Sequence, residues 1–386
     1  MERYYIALYE LGIKNELIIK AIIDYGPDFV THLFEKNTDI FLTDIEWLSY
    51  RDLFEDRLKI SKALEAADHI LHVNKQCEIS TALYSTINYP RNLMRMGNPP
   101  AIIYYKGANP NEGFEKAIAS IGTRKPTSFG FNAVNYLIPQ WVNEGFAIIS
   151  GLAAGVDRLS HIACLAEDGK TIAVLAHGLD MIYPASNRKL AEKILLCNGT
   201  LLSEYPVGIK PDKFRFINRN RLIVGLSKVI VAMECEEKSG SMHTIEFAQK
   251  QNCPIFCPDP GENITGAQSG LKYILDKKIG TVIKNGLDYQ NVIIAAGYEI
   301  EQLPMKAKYI KEQYLRALIS GVETDSIIKS VFQEMDLNYN SNYTCLVDLN
   351  NYLLNFIQNT GYPLQNIINL FIEKIISTYE STEKES

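Results

Sequence analysis

Four segments, each following a run of apolar residues, hold the side chains with which this 386-residue chain could engage an anion. The first, Ile121-Gly122-Thr123-Arg124-Lys125-Pro126-Thr127, sets a small residue, a hydroxyl and two adjacent cations at a strand end, a combination that suits a phosphate. The competing reading is a turn with a solvated Arg-Lys pair, and the GxxxxGK[ST] spacing of a P-loop is absent. In the second, Ser150-Gly151-Leu152-Ala153-Ala154-Gly155-Val156-Asp157, small residues let backbone N–H groups approach an anion, and the next helix N-terminus adds a favourable dipole. Tight strand–helix packing explains the same residues, and Gly151 and Gly155, four apart, do not make GxGxxG. The third, read as a loop from Pro206 to Lys228, carries Lys210, Lys213, Arg215, Arg219, Arg221 and Lys228 against the single acid Asp212, with Phe214 and Phe216 interleaved. Cations for a backbone and aromatic faces for bases are the composition of a single-strand binder. In the fourth, Glu234 to Ser241, Ser239 or Ser241 donates to a phosphate or caps the following helix.

Catalytic constellations are weaker. His161 stands one turn after Asp157, and His177 and His243 follow strands, but no GxSxG elbow presents a serine. The three histidines are read as structural. Glu204, closing Leu201-Leu202-Ser203-Glu204, is read as a hydrogen-bond anchor for the basic loop rather than an acid. The seven cysteines are odd in number and scattered among apolar neighbours, as reduced core cysteines are. Cys253 and Cys257 enclose Pro254 and lack a second pair, so zinc is unsupported. Neither a metal nor a cofactor is expected, and the chain is expected not to be an enzyme.

These segments need elements to hold them. Apolar runs at 117–122, 146–150, 171–176, 200–203, 228–233, 254–257 and 280–283 read as strands, and 128–144, 157–168, 186–197, 241–251 and 268–276 read as amphipathic helices. Nearly continuous apolar strands alternating with helices predict an α/β fold, a doubly wound, Rossmann-like, mostly parallel sheet whose ligands bind beyond the strand ends. Residues 1–70 predict a small helical module, 71–290 the Rossmann-like domain entered through a connector and a strand at 101–105, and 303–386 a helix-rich module ending in a solvated tail.

Hydrophobic residues make up 47% of the chain and charged ones 22%, which excludes disorder, collagen and coiled coil as the main architecture. No apolar run approaches the ~18 residues of a membrane span, and Met1-Glu2-Arg3-Tyr4 lacks a signal-peptide layout, so a cytoplasmic location without membrane contact is expected. The net charge of -6 is local: residues 1–70 hold 14 acids against 8 bases, and the remainder is neutral. The acidic total therefore does not argue against a nucleic-acid partner.

In order along residues 87–285, the motifs resemble the DNA-processing protein A family (DprA, also Smf). They run from Asn88-Tyr89-Pro90-Arg91-Asn92-Leu93 and Asn98-Pro99-Pro100 through Gly122-Thr123-Arg124, the 150–157 loop with His161, and Gly178-Leu179-Asp180. Leu201 to Pro206, Arg219-Asn220-Arg221-Leu222-Ile223 and Ser239-Gly240-Ser241 complete the series. The resemblance implies a dimeric single-stranded DNA binder that loads RecA recombinase in natural transformation, with a SAM-like helical module in the first 70 residues and, in many members, a winged-helix module at the end. Carried over by position, Arg124 binds phosphate, Lys213 the backbone and Phe216 a base face. Arg219 and Arg221 bind the phosphates or frame the loop; Gly122, Thr123, Lys125, Ser150, Gly151, Ala153, Gly155, Asn220, Ser239, Gly240 and Ser241 complete the implied interface. Two alternatives stay open: a nucleotide-binding or nucleoside-monophosphate-cleaving enzyme on a related fold, whose Pro-Gly-Gly-x-Gly-Thr loop is here Lys238-Ser239-Gly240-Ser241-Met242, and an interaction scaffold in a defence or mobile-element system.

Overall fold

Valine, isoleucine and alanine runs that are buried on both faces build the centre of the molecule. The structure, a computed structural model, describes residues 1–35, 45–84, 86–262, 264–284 and 288–297; the module expected over 303–386 lies outside them. Strands β3 (Ala117–Gly122), β4 (Ala147–Ser150), β5 (Thr171–Val174), β6 (Thr200–Ser203), β7 (Val229–Glu234), β8 (Ile255–Pro258) and β9 (Thr281–Ile283) pair in parallel in the order β6-β5-β4-β3-β7-β8-β9. Two further strands, β1 (Ser80–Leu83) and β2 (Ile102–Gly107), extend the sheet antiparallel beyond β6. The fold is the expected Rossmann-like α/β sheet with an antiparallel edge that the connector reading only half supplied: β2 was expected, β1 was not.

The chain leaves β3 toward β4 and leaves β7 toward β8, in opposite directions. The crevice between the ends of β3 and β7 is thus the topological switch point, where open α/β sheets bind ligands. Helices α7 (Ser128–Asn143) and α8 (Val156–Ala166) cover one face around Trp141, Ile138 and Val134. On the other face lie α10 (Lys213–Leu226), α11 (Gly240–Lys250) and α12 (Ser269–Asp276), buried through Leu222, Ile223, Ile245 and Ile274.

The N-terminal helices include α1 (Glu2–Glu10), α2 (Asn15–Tyr25), α3 (Phe29–Glu35) and the long α6 (Arg57–Gln76). Asp56 starts α6 by accepting from the N–H groups of Leu58 and Lys59, both at 3.1 Å. Their apolar faces, with Tyr5, Leu8, Ile18 and Phe29 buried, share one core with Ile102, Tyr104 and Leu201 of the sheet. α6 carries the helical segment past residue 70, to Gln76. No described helix is long and apolar enough to cross a membrane.

Candidate nucleic-acid interface

The largest departure from the sequence reading lies in the basic segment: residues 213–226 are a helix, α10, not a loop. Asp212 caps it, accepting from the Arg215 N–H at 2.9 Å, and Pro211 and Gly208 confine the loop to the residues before. Two side chains that read as polar, Arg219 and Asn220, are buried, so the helical stripe was hidden behind charges. The helix is pinned at several points. Asn92 Nδ2 donates to the Leu226 carbonyl at 2.9 Å; Arg221 donates to the Asn98 carbonyl at 2.7 Å and forms an ion pair with Glu204. Glu204 is therefore the anchor the sequence suggested, and Arg221 belongs to the framework.

At the switch point a cavity of about 300 Å³ is lined by Gly122, Thr123, Arg124, Ala153, Phe216, Arg219, Asn220, Ser239, Gly240 and Ser241, bringing together the first, third and fourth segments and, from the second, Ala153. Ile121, Asp157, Ile217, Ile223, Glu236 and Thr244 also line it and were not anticipated as its walls. Phe216 is half-buried in the first turn of α10, with the Arg124 guanidinium 5.4 Å and that of Arg219 5.9 Å from its ring centre, and Tyr183 5.7 Å away. Arg124, Lys125 and Lys213 are exposed; Lys125 and Lys213 stand outside the cavity wall.

The turn that carries Arg124 is fixed by backbone bonds. The Thr123 N–H donates to the Glu234 carbonyl at 2.7 Å, Val156 N–H to the Thr123 carbonyl at 3.0 Å, and Ser241 Oγ to the Gly122 carbonyl at 3.0 Å. A Cβ on Gly122 would sit 2.6 Å from Val156 and 2.7 Å from the Glu234 carbonyl, so the position needs glycine. Glu234 is fully buried at the end of β7, yet its carboxylate accepts from Thr127 N at 2.7 Å, Thr127 Oγ1 at 2.6 Å and Gln268 Nε2. It clasps the far end of the turn, and its sequence signal was an acid closing a five-residue apolar run.

The second segment does something other than cradle an anion. Asp157 Oδ2 accepts from the N–H groups of Gly151 at 3.2 Å and Ala153 at 3.3 Å, the very donors expected to face a phosphate. Ser150 Oγ is buried and donates to the Ser120 carbonyl at 2.7 Å. Gly155, at φ 82°, lies against the backbone of Thr123 and Arg124, where a Cβ would come within 2.5 Å of the Arg124 carbonyl carbon. This loop supports the cleft from below, and Ser150, Gly151 and Gly155 do not line it.

Arg219 forms the buried floor, 4% exposed, donating to the carbonyls of Gly151, at 2.7 Å, and Val174. Burial lowers its pKa to about 10, while the Asp157 charge acts the other way; burial likewise raises Asp157 and Arg219 opposes that rise. Each charge favours the other across Gly151. His161 is buried with Nδ1 2.7 Å from Thr171 Oγ1, and burial followed by the Arg219 charge lowers its pKa to about 3. It is neutral in the fold and takes a proton on unfolding, so it makes stability fall as pH drops from about 6.5 toward 3. A loss of about 2 kcal/mol between pH 7 and pH 5 is expected from this group. His161→Gln should flatten that part of the profile in urea unfolding at the two pH values; an unaltered profile would remove the assignment.

A Rossmann-like sheet whose switch point gathers a glycine turn, an exposed arginine and an aromatic ring beneath it defines a doubly wound α/β protein with a cation-lined cleft at its strand ends. The comparisons narrow this class. Residues 80–293 match the family described as DNA recombination-mediator protein A, and the chain belongs to that family. It is 40% identical over 190 residues to protein Smf of Synechocystis sp., a match covering 48% of each chain, so it spans about half the length of that relative. It is 36% identical over 269 residues to the DNA processing protein DprA of Streptococcus pneumoniae, covering 69% of this chain and 89% of that one. The X-ray structure of that protein superposes with a TM-score of 0.60 over 75% of this chain and 98% of the other, at 27% identity. DNA processing protein A from Helicobacter pylori, whose structure addresses a single-stranded DNA binding mode, superposes with a TM-score of 0.50 over 56% of this chain and 96% of that one, at 30% identity.

Proposed function

We propose that this chain is a cytoplasmic single-stranded DNA-binding protein, acting as a homodimer and without covalent chemistry, that loads RecA recombinase onto DNA entering by natural transformation. The observation that carries the DNA reading is the cluster at the switch point: exposed Arg124 across the ring of Phe216, on a floor made by Arg219. The H. pylori relative supports it. Phosphates lie on Arg124, Lys125 and Lys213 and along Ser239-Gly240-Ser241, and bases stack on Phe216. Cleavage of a nucleoside monophosphate finds less support. Of the two acids on the cavity wall, Asp157 is committed to Gly151 and Ala153, and Glu236 accompanies no Pro-Gly-Gly-x-Gly-Thr loop.

The test is a salt series. Each phosphate contact contributes about 0.7 to the slope of log K against log salt on single strands, so Arg124→Ala with Lys213→Ala should reduce the slope by about 1.4 and weaken binding at low salt. An unchanged slope measured by gel shift would sink the cleft as the DNA site. Recombinase loading on strand coated with single-strand-binding protein tests the further step. DNA binding without loading would leave the chain as an interaction scaffold.

A further inference from the structure

Successive residues of a helix point about 100° apart, so Asn218 and Arg221 face away from Phe216, Arg219 and Asn220. On that opposite side of α10 lies a larger cavity, about 570 Å³, at the seam between α1, α2, β2 and the end of β6. Tyr9, Tyr104, Glu204, Tyr205, Arg221 and Lys250 line it. Two of these end in buried polar atoms without a hydrogen-bond partner, Tyr104 Oη and Glu204 Oε1. Tyr104 is 2% exposed and the Glu204 side chain 10%. Buried polar atoms are ordinarily bonded, so an orphaned hydroxyl and an orphaned carboxylate oxygen in the wall of one cavity point to a ligand that bonds both.

The chemistry of that ligand follows from the wall. Glu204 Oε2 is already paired with Arg221 and the neighbouring Tyr205 hydroxyl also acts on the carboxylate, but Oε1 has no partner within hydrogen-bond distance and keeps acceptor capacity for an N–H donor. Tyr104 Oη, toward the α1 side of the same wall, offers a separate donor. The exposed ring of Tyr9 supplies flat apolar surface, backed by the buried rings of Tyr104 and Tyr205, and the two cations exceed the single carboxylate, which favours an anionic substituent. The volume falls in the range of small-molecule sites, roughly 300–1,000 Å³. A planar heterocycle with donor and acceptor edges and a phosphate meets all of these demands.

We propose that the seam cavity binds a nucleotide, either a free nucleoside monophosphate or one unit of a bound strand. The free-nucleotide arm does not rest on the reading of the switch-point cleft. Titration of the full chain with adenosine, guanosine, cytidine and uridine monophosphates, by calorimetry, should show binding of at least one. Tyr104→Phe removes only the orphaned hydroxyl; it should weaken that binding about tenfold while leaving the unliganded melting temperature unlowered. Gly97→Phe is the second variant: a Cβ there meets nothing within 4 Å, and a ring on this wall residue should narrow or block the cavity. Loss of binding in Arg124→Ala with retention in both seam variants would place the nucleotide in the other cleft and overturn the proposal. If no monophosphate binds at millimolar concentration, weaker binding of a short single-stranded oligonucleotide by both seam variants, with the salt slope unchanged in Tyr104→Phe and lowered by about 0.7 in Gly97→Phe, identifies the strand as the source. Wild-type oligonucleotide affinity in both variants together with no monophosphate binding would overturn the proposal, whatever the Arg124 and Lys213 variants show.

Discussion

Arg219→Leu is expected to cost about 3–5 kcal/mol of folding stability, the penalty for removing one partner from a buried charged pair. The guanidinium is 4% exposed and its effect does not stop at its own contacts. It donates to the Gly151 carbonyl, while the Gly151 N–H donates to Asp157, so the two charges are linked through one peptide group. Leucine fills much of the volume but leaves the carbonyls of Gly151 and Val174 without this donor and the Asp157 carboxylate buried without its counter-charge. The Asp157 pKa should rise further, and the variant should lose stability as pH increases through that raised value, because the unfolded chain ionises the carboxylate more readily than the fold does. Urea unfolding at pH 5 and pH 8 reads both effects. Arg124→Ala is the control: its side chain is exposed, and such a substitution normally changes stability by less than about 0.5 kcal/mol. Equal stability of Arg219→Leu and the parent would show that the floor charge is dispensable.

The contrast between these two arginines explains what was legible in the sequence. Strands β3 to β9 were readable because parallel strands buried on both faces are continuous apolar runs, and their helices because each shows a 3.6-residue apolar stripe. α10 was not, since its buried face includes Arg219 and Asn220, and no hydropathy pattern distinguishes an arginine bonded to carbonyls from one in solvent. The same limit applies to the 150–157 loop. Its small residues are compatible with an anion or with tight packing, and only the position of the Asp157 carboxylate shows which backbone donors are already used. β1 was missed for another reason: four residues at a sheet edge, partly exposed, carry too little periodicity to stand out. Gly122, Arg124 and Phe216, in segments about 90 residues apart, could be considered together because each segment follows a strand, and ligands of open α/β sheets bind beyond the strand ends.

Phe216→Ala should weaken single-stranded DNA binding by about 1–3 kcal/mol, roughly 5- to 150-fold in Kd, without altering its salt slope. The reasoning separates face from charge. Phe216 carries no charge, so its loss releases no counterion and log K falls by a constant across the series; Arg124→Ala changes the slope instead. Part of the loss is indirect, because the ring also holds the Arg124 guanidinium 5.4 Å from its centre, a contact worth about 0.5–1 kcal/mol when exposed. Phe216→Leu distinguishes the two contributions from simple volume, since leucine keeps an apolar side chain at the site but offers neither a stacking face nor a cation–π partner. Phe216→Trp keeps both and should bind as well as the parent or better. Because the residue lies in the first turn of a capped helix and is half-buried, folding stability should change little beside the binding effect. Gel shifts at three salt concentrations for the alanine, leucine and tryptophan variants decide the matter. Parental affinity in Phe216→Leu would mean that no base stacks on this ring and that the cleft holds the strand through its phosphates alone.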